Sequence, residues 1–458
     1  MLPTVTDLAR SHAEGRSPIE ATDQVLDRIE RLDGALEAWQ VVYADEARRA
    51  ASAAAEQLTV GHRVGPFHGI PFALKDIVDV GGRVTTAGSA SFVDRVSPTT
   101  ATIGRRLLAA GGVLIGKTKT VELAFGGWGT NDHYGMPRNP WDATTVRAPG
   151  GSSSGSGVAV SSGMVPCAIG TDTGGSVRLP AAFCGIVGLK TTEGLLPTDG
   201  IVPLSHTLDT PGPMARTVAD VALMFDVLTG RSPLDIDDDW LGRRGLHQPP
   251  PPDLRGVGLG ALADSERALV AADVLTRYDS ALDQLSDLGA DVTVVASPVS
   301  YEEMKELTFV IVTAEAWMHH GHLFADDDAP IDEHARRRAM PGRDVPAHRY
   351  LEALEQRRRL RAELLASMAH LDALVTPTTA DTAPAVEEID EASTPAHFTR
   401  AANLLSLSAL SVPTGLTGAG LPAAIQFMGR GFDEASLLRI GGVYERARGP
   451  LPPPPIAD

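Results

Sequence analysis

The sequence predicts an α/β protein, a large sheet layered by helices. Strand-length apolar stretches alternate with helical periodicities. The clearest cases are 103–110 followed by 113–116, and the run 256–262, 265–288 and 292–296. Strands separated by helices point to a layered α/β sheet. The 458 residues are 43% hydrophobic, enough for a large core, and 46 glycines and 33 prolines imply many turns. Length alone suggests two or three domains.

Thr4 or Thr6 can cap a first helix, and Ser17-Pro18-Ile19-Glu20 is a start signal with proline in the first turn. Ala21, Val25, Ile29 and Leu32 then recur at helical spacing, so residues 4–58 read as helices packed over the core. At Gly69 the texture changes. GIPFALKDIVDVGG reads as a strand or strand end carrying Lys75 and Asp76. A lysine there is costly to bury unless paired or neutral. It is either a surface lysine paired with Asp76 or Asp79, or a desolvated base of lowered pKa. Residues 126–141 read as a long loop on one face of the site, 195–210 as another loop, and 217–229 as a helix. The stretch 230–256, with its acidic run 237–239 and prolines 249–252, reads as a solvated insertion. Residues 303–323 and 347–371 read as helices, 374–377 as a strand end and 398–408 as a helix lining the pocket. Residues 421–429 and 435–447 close the chain as strand then helix, and 449–458 read as a proline-rich, frayed end.

The stretch from Ala148 to Pro180, APGGSSSGSGVAVSSGMVPCAIGTDTGGSVRLP, organises the rest. Glycine–serine clusters at 150–157 and 174–176 flank a mostly apolar run, 158–169. Glycine permits the close backbone approach that an anion-binding turn needs, so the expectation is a hydrolase site where two serines meet. Three other readings compete. A Gly/Ser run is commonly a flexible linker, but linkers do not run into apolar, cysteine-containing sequence. Gly151-Ser152-Ser153-Ser154-Gly155 matches the G-x-S-x-G elbow with Ser153 as nucleophile, but the preceding 139–150 reads as loop rather than strand. Asp172-Thr173-Gly174 matches the tripeptide of aspartic proteases, whose chemistry needs two such carboxylates, and no second copy occurs.

A net charge of −18 argues against nucleic acid and anionic membranes as partners. Two cysteines, Cys167 and Cys184, give no disulfide framework, so a cytoplasmic setting is expected. No apolar run approaches a membrane span, and the N-terminus lacks a signal-peptide pattern. His319-His320 with His322 and Glu315 fits no zinc spacing and reads as a partly exposed helix end, so no metal is expected. The arginine runs 336–338 and 357–361 read as solvated helix faces.

These residues carry a resemblance. Lys75 in GIPFALKD, residues 150–157 in PGGSSSGSG and residues 170–180 in GTDTGGSVRLP resemble the amidase signature family of amide hydrolases. The similarity continues through GIVGLKTTEG, GIVPLSHTLDTPGPMAR, SALSVPTG and LPAAIQFMGRGFDE, roughly residues 21–446. The resemblance implies a Ser–cis-Ser–Lys triad: Ser176 as nucleophile, Ser152 as bridging serine after a cis peptide, and Lys75 as base. It further implies an oxyanion hole from the amides of Thr173, Gly174, Gly175 and Ser176. Two departures from the family pattern, Ser154 and LKTTEG, leave the triad types intact. Alternation and resemblance together imply a mixed, mostly parallel twisted sheet with helices on both faces. They imply one domain over 1–458, with a helical layer at about 1–60 and an α/β part that shapes the substrate site at about 255–447.

The chemistry is consistent with that reading. An amide carbonyl is a poor electrophile, so an activated hydroxyl and a charge-stabilising pocket are needed. Lys75 serves as base only when neutral. Moving its pKa from about 10.4 to about 7 costs roughly 4–5 kcal/mol, which burial among apolar neighbours can supply. The expected activity is hydrolysis of a small-molecule amide through an acyl-enzyme, with no cofactor. Trp128, Ser153, Tyr134 and Trp317, with His133 and Met318, are candidate pocket walls. Alternatives are a carbamate, urea-type or ester hydrolase, the ammonia-generating subunit of a glutamine-dependent amidotransferase working with a partner, and a non-catalytic binding protein. A homodimer is the open alternative to a monomer.

Overall fold

The structure is a computed structural model that describes residues 3–230, 252–297 and 300–457. Residues 231–251, and with them the acidic run expected to form a solvated insertion, lie outside the described residues.

Among the described residues, eleven strands form one sheet. They are β1 (Trp39–Val42), β2 (Pro71–Lys75), β3 (Val113–Thr118), β4 (Cys167–Asp172), β5 (Val187–Lys190), β6 (Thr210–Ala215), β7 (Gly258–Leu262), β8 (Asp291–Val295), β9 (Ala373–Pro377), β10 (Ser408–Leu416) and β11 (Pro422–Gly429). Their order is β1-β3-β2-β4-β6-β5-β10-β11-β9-β7-β8. The α/β class and the mixed sheet are as expected, but parallel pairing is less extensive. It holds in four pairs, β2 with β3 and β4, and β7 with β8 and β9, while the other six are antiparallel. The connections explain the difference. A parallel neighbour needs a crossover. The β2–β3 link carries the helix Thr102–Ala109 and the β7–β8 link the helix Ala272–Asp287. Residues 191–209 and 417–421, by contrast, return the chain without an α-helix, so β5–β6 and β10–β11 are antiparallel.

Alternation along the strands divides the core between two faces. In β2 and β4, Phe72, Leu74, Cys167 and Ile169 join one apolar cluster, while Ala73 and Ala168 join the other. The second cluster includes Val25, Leu26 and Ile29 of the helix Pro18–Leu36 and Val158–Val160 of the helix Ser154–Ser161. The N-terminal segment is helical as expected, with Thr4 and Ser17 as caps. It also contains β1, which begins just after the left-handed Glu37 (φ 51°) that ends the preceding helix. β6 was concealed by Pro211 and Pro213, which lack the N–H that marks a central strand, yet it runs between β4 and β5. The helix expected at 398–408 is confined to Arg400–Leu404, because Ser406 takes a positive φ of 51° and β10 starts at Ser408.

The arginine runs are not merely solvated. Arg336 donates to the carbonyls of Phe324, Asp326 and Ala329, Arg338 to that of Phe125 and to Glu391, and Arg357 to the Leu404 carbonyl, Ser406 and Glu193. A guanidinium has five donors, enough to join several chain segments. Arg337 and Arg358 do remain largely exposed.

Candidate active site

Parallel pairing places the carboxyl ends of β2 and β4 side by side, where open α/β sheets form crevices. Lys75 ends β2 and is 0% exposed. Its Nζ donates to Ser152 Oγ at 2.7 Å and to Thr171 Oγ1 at 2.8 Å. It pairs with neither Asp76 nor Asp79. Asp76 holds Lys117 at 2.6 Å, and Asp79 holds Arg95 at 2.7 Å. Burial pulls the Lys75 amine down from 10.5 to about 7, against the opposing pull of Asp209 and Asp172.

Ser152 follows a cis peptide from Gly151. Its carbonyl accepts from Thr120 Oγ1 at 2.9 Å and from the Val121 N–H at 3.2 Å, which fixes the turn over Lys75. The glycine–serine cluster is packed rather than linker-like. The helix Ser154–Ser161 is buried throughout, and a Cβ on Gly155 would run into the carbonyl oxygen of Ala38. Ser153 is fully buried and points at β4. Its Oγ accepts from the Thr171 N–H at 3.2 Å and donates to the Thr171 carbonyl at 3.3 Å.

The second cluster turns around Asp172. This carboxylate accepts from the Gly175 N–H at 2.7 Å, the Val177 N–H at 3.2 Å, Arg178 at 3.0 Å and Asn403 at 3.0 Å. Burial alone would raise its pKa, but the charge and hydrogen bonds of Arg178 overcome this and hold it near 2. Asp172 is therefore a structural anion, not one of a proton-sharing pair. Asp172→Ala is expected to lower the free energy of unfolding in urea by about 3–5 kcal/mol, because it leaves the buried Arg178 without its counter-ion.

Engagement with Asp172 removes the Gly175 N–H from the expected oxyanion donors, leaving those of Thr173, Gly174 and Ser176. Gly175 instead serves the turn. Its φ is 138°, and a Cβ there would meet Thr399 Oγ1. Thr173 Oγ1 donates to Asp209 at 2.5 Å, tying the turn to the 204–209 loop. Ser176, 8% exposed, opens on a cavity of about 650 Å³ together with Thr173 and Gly174. Its carbonyl accepts from the Ser153 N–H at 3.2 Å, so the two serine clusters are joined through backbone.

Of the expected pocket walls, Trp128, Ser153, Tyr134 and Trp317 do not line this cavity. Trp128 stacks on Phe183 and donates to the carbonyls of Asp390 and Ser393, anchoring a segment whose Ser393 does line it. Tyr134 N–H donates to Asn131, and Trp317 packs beside Gly321 and Gly342. His133 and Met318 are exposed. In the histidine cluster, Glu315 accepts from Tyr350 and from the 205–207 loop, while His320 lies 2.6 Å from the Pro203 carbonyl. Sequence reasoning missed Thr171, the Asp172–Arg178 pair, Asp209 and Arg400. Arg178 and Asp172 were both inside the quoted motif, and two opposite charges flanking a glycine–serine turn were the available signal.

Among the described residues, no helix is long and apolar enough to cross a membrane. A family profile described as Amidase matches residues 20–438. The chain is 35% identical to a glutamyl-tRNA(Gln) amidotransferase subunit from Anaeromyxobacter dehalogenans, over 97% of this chain and 95% of that protein. It superimposes on the native peptide amidase of Stenotrophomonas maltophilia with a TM-score of 0.84 and 31% identity, covering 98% of both chains. For the corresponding amidotransferase subunit from Thermotoga maritima the TM-score is 0.79 and the identity 32%, over 95% of this chain and 94% of that one.

Proposed function

Because this chain belongs to the amidase family, we propose that it hydrolyses a small carboxamide to a carboxylate and ammonia or an amine, through an acyl-enzyme on Ser176. The observation that carries this reading is the buried Lys75, its amine pKa lowered to about 7 and its Nζ hydrogen-bonded to Ser152, together with Ser176 opening on a cavity. Ser176 Oγ attacks the amide carbonyl and gives its proton to Ser152, which passes its own to the neutral Lys75 amine. The oxyanion meets the N–H groups of Thr173, Gly174 and Ser176, each worth about 3 kcal/mol. When the C–N bond breaks, the proton returns through Ser152 to the leaving nitrogen. Water then repeats the sequence on the ester and frees the carboxylate.

A second reading is favoured by the names of the curated relatives: the glutamine-hydrolysing component of an amidotransferase. With a net charge of −18, tRNA contact would fall to a partner chain. One experiment separates the readings. The isolated chain is offered primary amides, glutamine, a carbamate, a urea and an ester, and product release is measured. Turnover of simple amides is expected. Activity confined to glutamine and dependent on an added partner would favour the second reading. In parallel, a serine-directed phosphonate is expected to add to Ser176, located by mass spectrometry of the digested protein. An adduct on Ser153 would overturn the mechanism.

A further inference from the structure

Among the described residues, the cavity beside Ser176 is lined by three cations and by the carboxylates of Glu302 and Glu306, and two of the cations are already occupied. Lys305 donates to Glu302 at 2.7 Å, and Arg338 donates to the Phe125 carbonyl at 2.9 Å and to Glu391. Arg400 differs. Its Nη1 is buried without a hydrogen-bond partner, and among the described residues it joins no ion pair. Glu302 lies near enough to act on it electrostatically, but that carboxylate is half-exposed and bonded to Lys305. Burial lowers the Arg400 guanidinium to about 10, so it is still charged at neutral pH. A buried guanidinium nitrogen without a hydrogen-bonded anion is costly, and the cost is offset when an anion docks on it.

The position of Arg400 limits what that anion is attached to. Its side chain lies against the turn that carries Ser176. A Cβ on Gly174 would stand 3.6 Å from Arg400 Cγ and 4.0 Å from Nε. Thr399, just before it, donates to the Gly174 carbonyl at 2.7 Å and fixes the approach. Leu179, Phe309 and Val312 make the neighbouring walls apolar, suited to a short carbon chain. We propose that Arg400 selects amides whose acyl part carries a carboxylate a few bonds from the scissile carbonyl. The guanidinium binds that carboxylate through charge-assisted hydrogen bonds of about 2.8 Å. Arg400 is thereby the specificity-determining residue of this pocket. The inference deepens the acyl-transfer reading of Ser176 and rests on it.

The test compares kcat/KM for succinamate with kcat/KM for butyramide, which has a methyl in place of the carboxylate. Wild type is expected to prefer succinamate. Arg400→Gln should lower the ratio about 10- to 100-fold, the range for a hydrogen bond to a charged group. Arg400→Lys, which keeps the charge but loses the planar fork, should recover part of it. A ratio unchanged in Arg400→Gln would overturn the proposal. A direct binding measurement keeps the question separate from catalysis. Succinate is titrated calorimetrically into Ser176→Ala, with and without Arg400→Gln. Loss of binding in the double variant supports the role of Arg400 even if no amide is turned over, and equal binding overturns it. Turnover retained in Ser176→Ala would sink the acyl-enzyme reading alone.

Discussion

Replacing Ser176 with alanine is expected to lower kcat for any accepted amide by about five to six orders of magnitude, as loss of a serine nucleophile does elsewhere. The expectation comes from access. Ser176 opens on the cavity, while Ser152 and Ser153 are completely buried and line no part of it. Ser153, the serine that the G-x-S-x-G pattern would choose, is bonded to both backbone groups of Thr171. Ser153→Ala should therefore act on folding more than on chemistry, costing about 1–3 kcal/mol by leaving those groups without this partner. Product release and thermal unfolding, measured on both variants, separate the two serines. A Ser176→Ala protein that turns over at the wild-type rate, or a folded but inactive Ser153→Ala, would reverse their assignment.

The contrast between these serines shows what was legible in the sequence. The motifs around Lys75, Ser152 and Ser176 marked the candidate site because lysine in an apolar strand and glycine beside serine are locally unusual. Lys75 and Ser152 do meet, at 2.7 Å. The helices that flank the sheet were equally legible, since apolar spacing and caps such as Thr4 and Ser17 are local signals. Strand direction was not, because it follows from how the chain returns, and loop 191–209 resembles any other loop in composition. The pocket walls were not legible either. Trp128 and Trp317 drew attention by size, yet the cavity is bounded by Phe309, Val312, Leu179 and Arg400 from distant segments. Arg400 carries no local pattern. Its significance is that Lys305 and Arg338 have partners and its Nη1 has none.

Lys75→Met tests whether this lysine is kept for chemistry at the expense of stability. Activity should fall by several orders of magnitude, since a serine hydroxyl without a base is a weak nucleophile at neutral pH. In the wild type only the neutral amine accepts a proton. Activity should therefore rise about tenfold per pH unit below about 7 and level off above it, and Lys75→Met should lack this limb. Stability should move in the opposite direction. Unfolded, the amine holds its proton up to about 10.5, whereas folded it releases it near 7. Between these values the unfolded state binds more protons, so Lys75 makes the fold less stable as pH drops from 10.5 towards 7. Methionine removes that burden. It also leaves the hydroxyls of Ser152 and Thr171 without the amine, a loss of about 1–3 kcal/mol that offsets part of the gain. The variant should accordingly melt at or above the wild-type temperature at pH 7, and its advantage should shrink towards pH 10. A variant that melts well below the wild type at pH 7 would overturn the stability expectation, and one that keeps the acid limb near pH 7 would show that Lys75 is not the group that sets it.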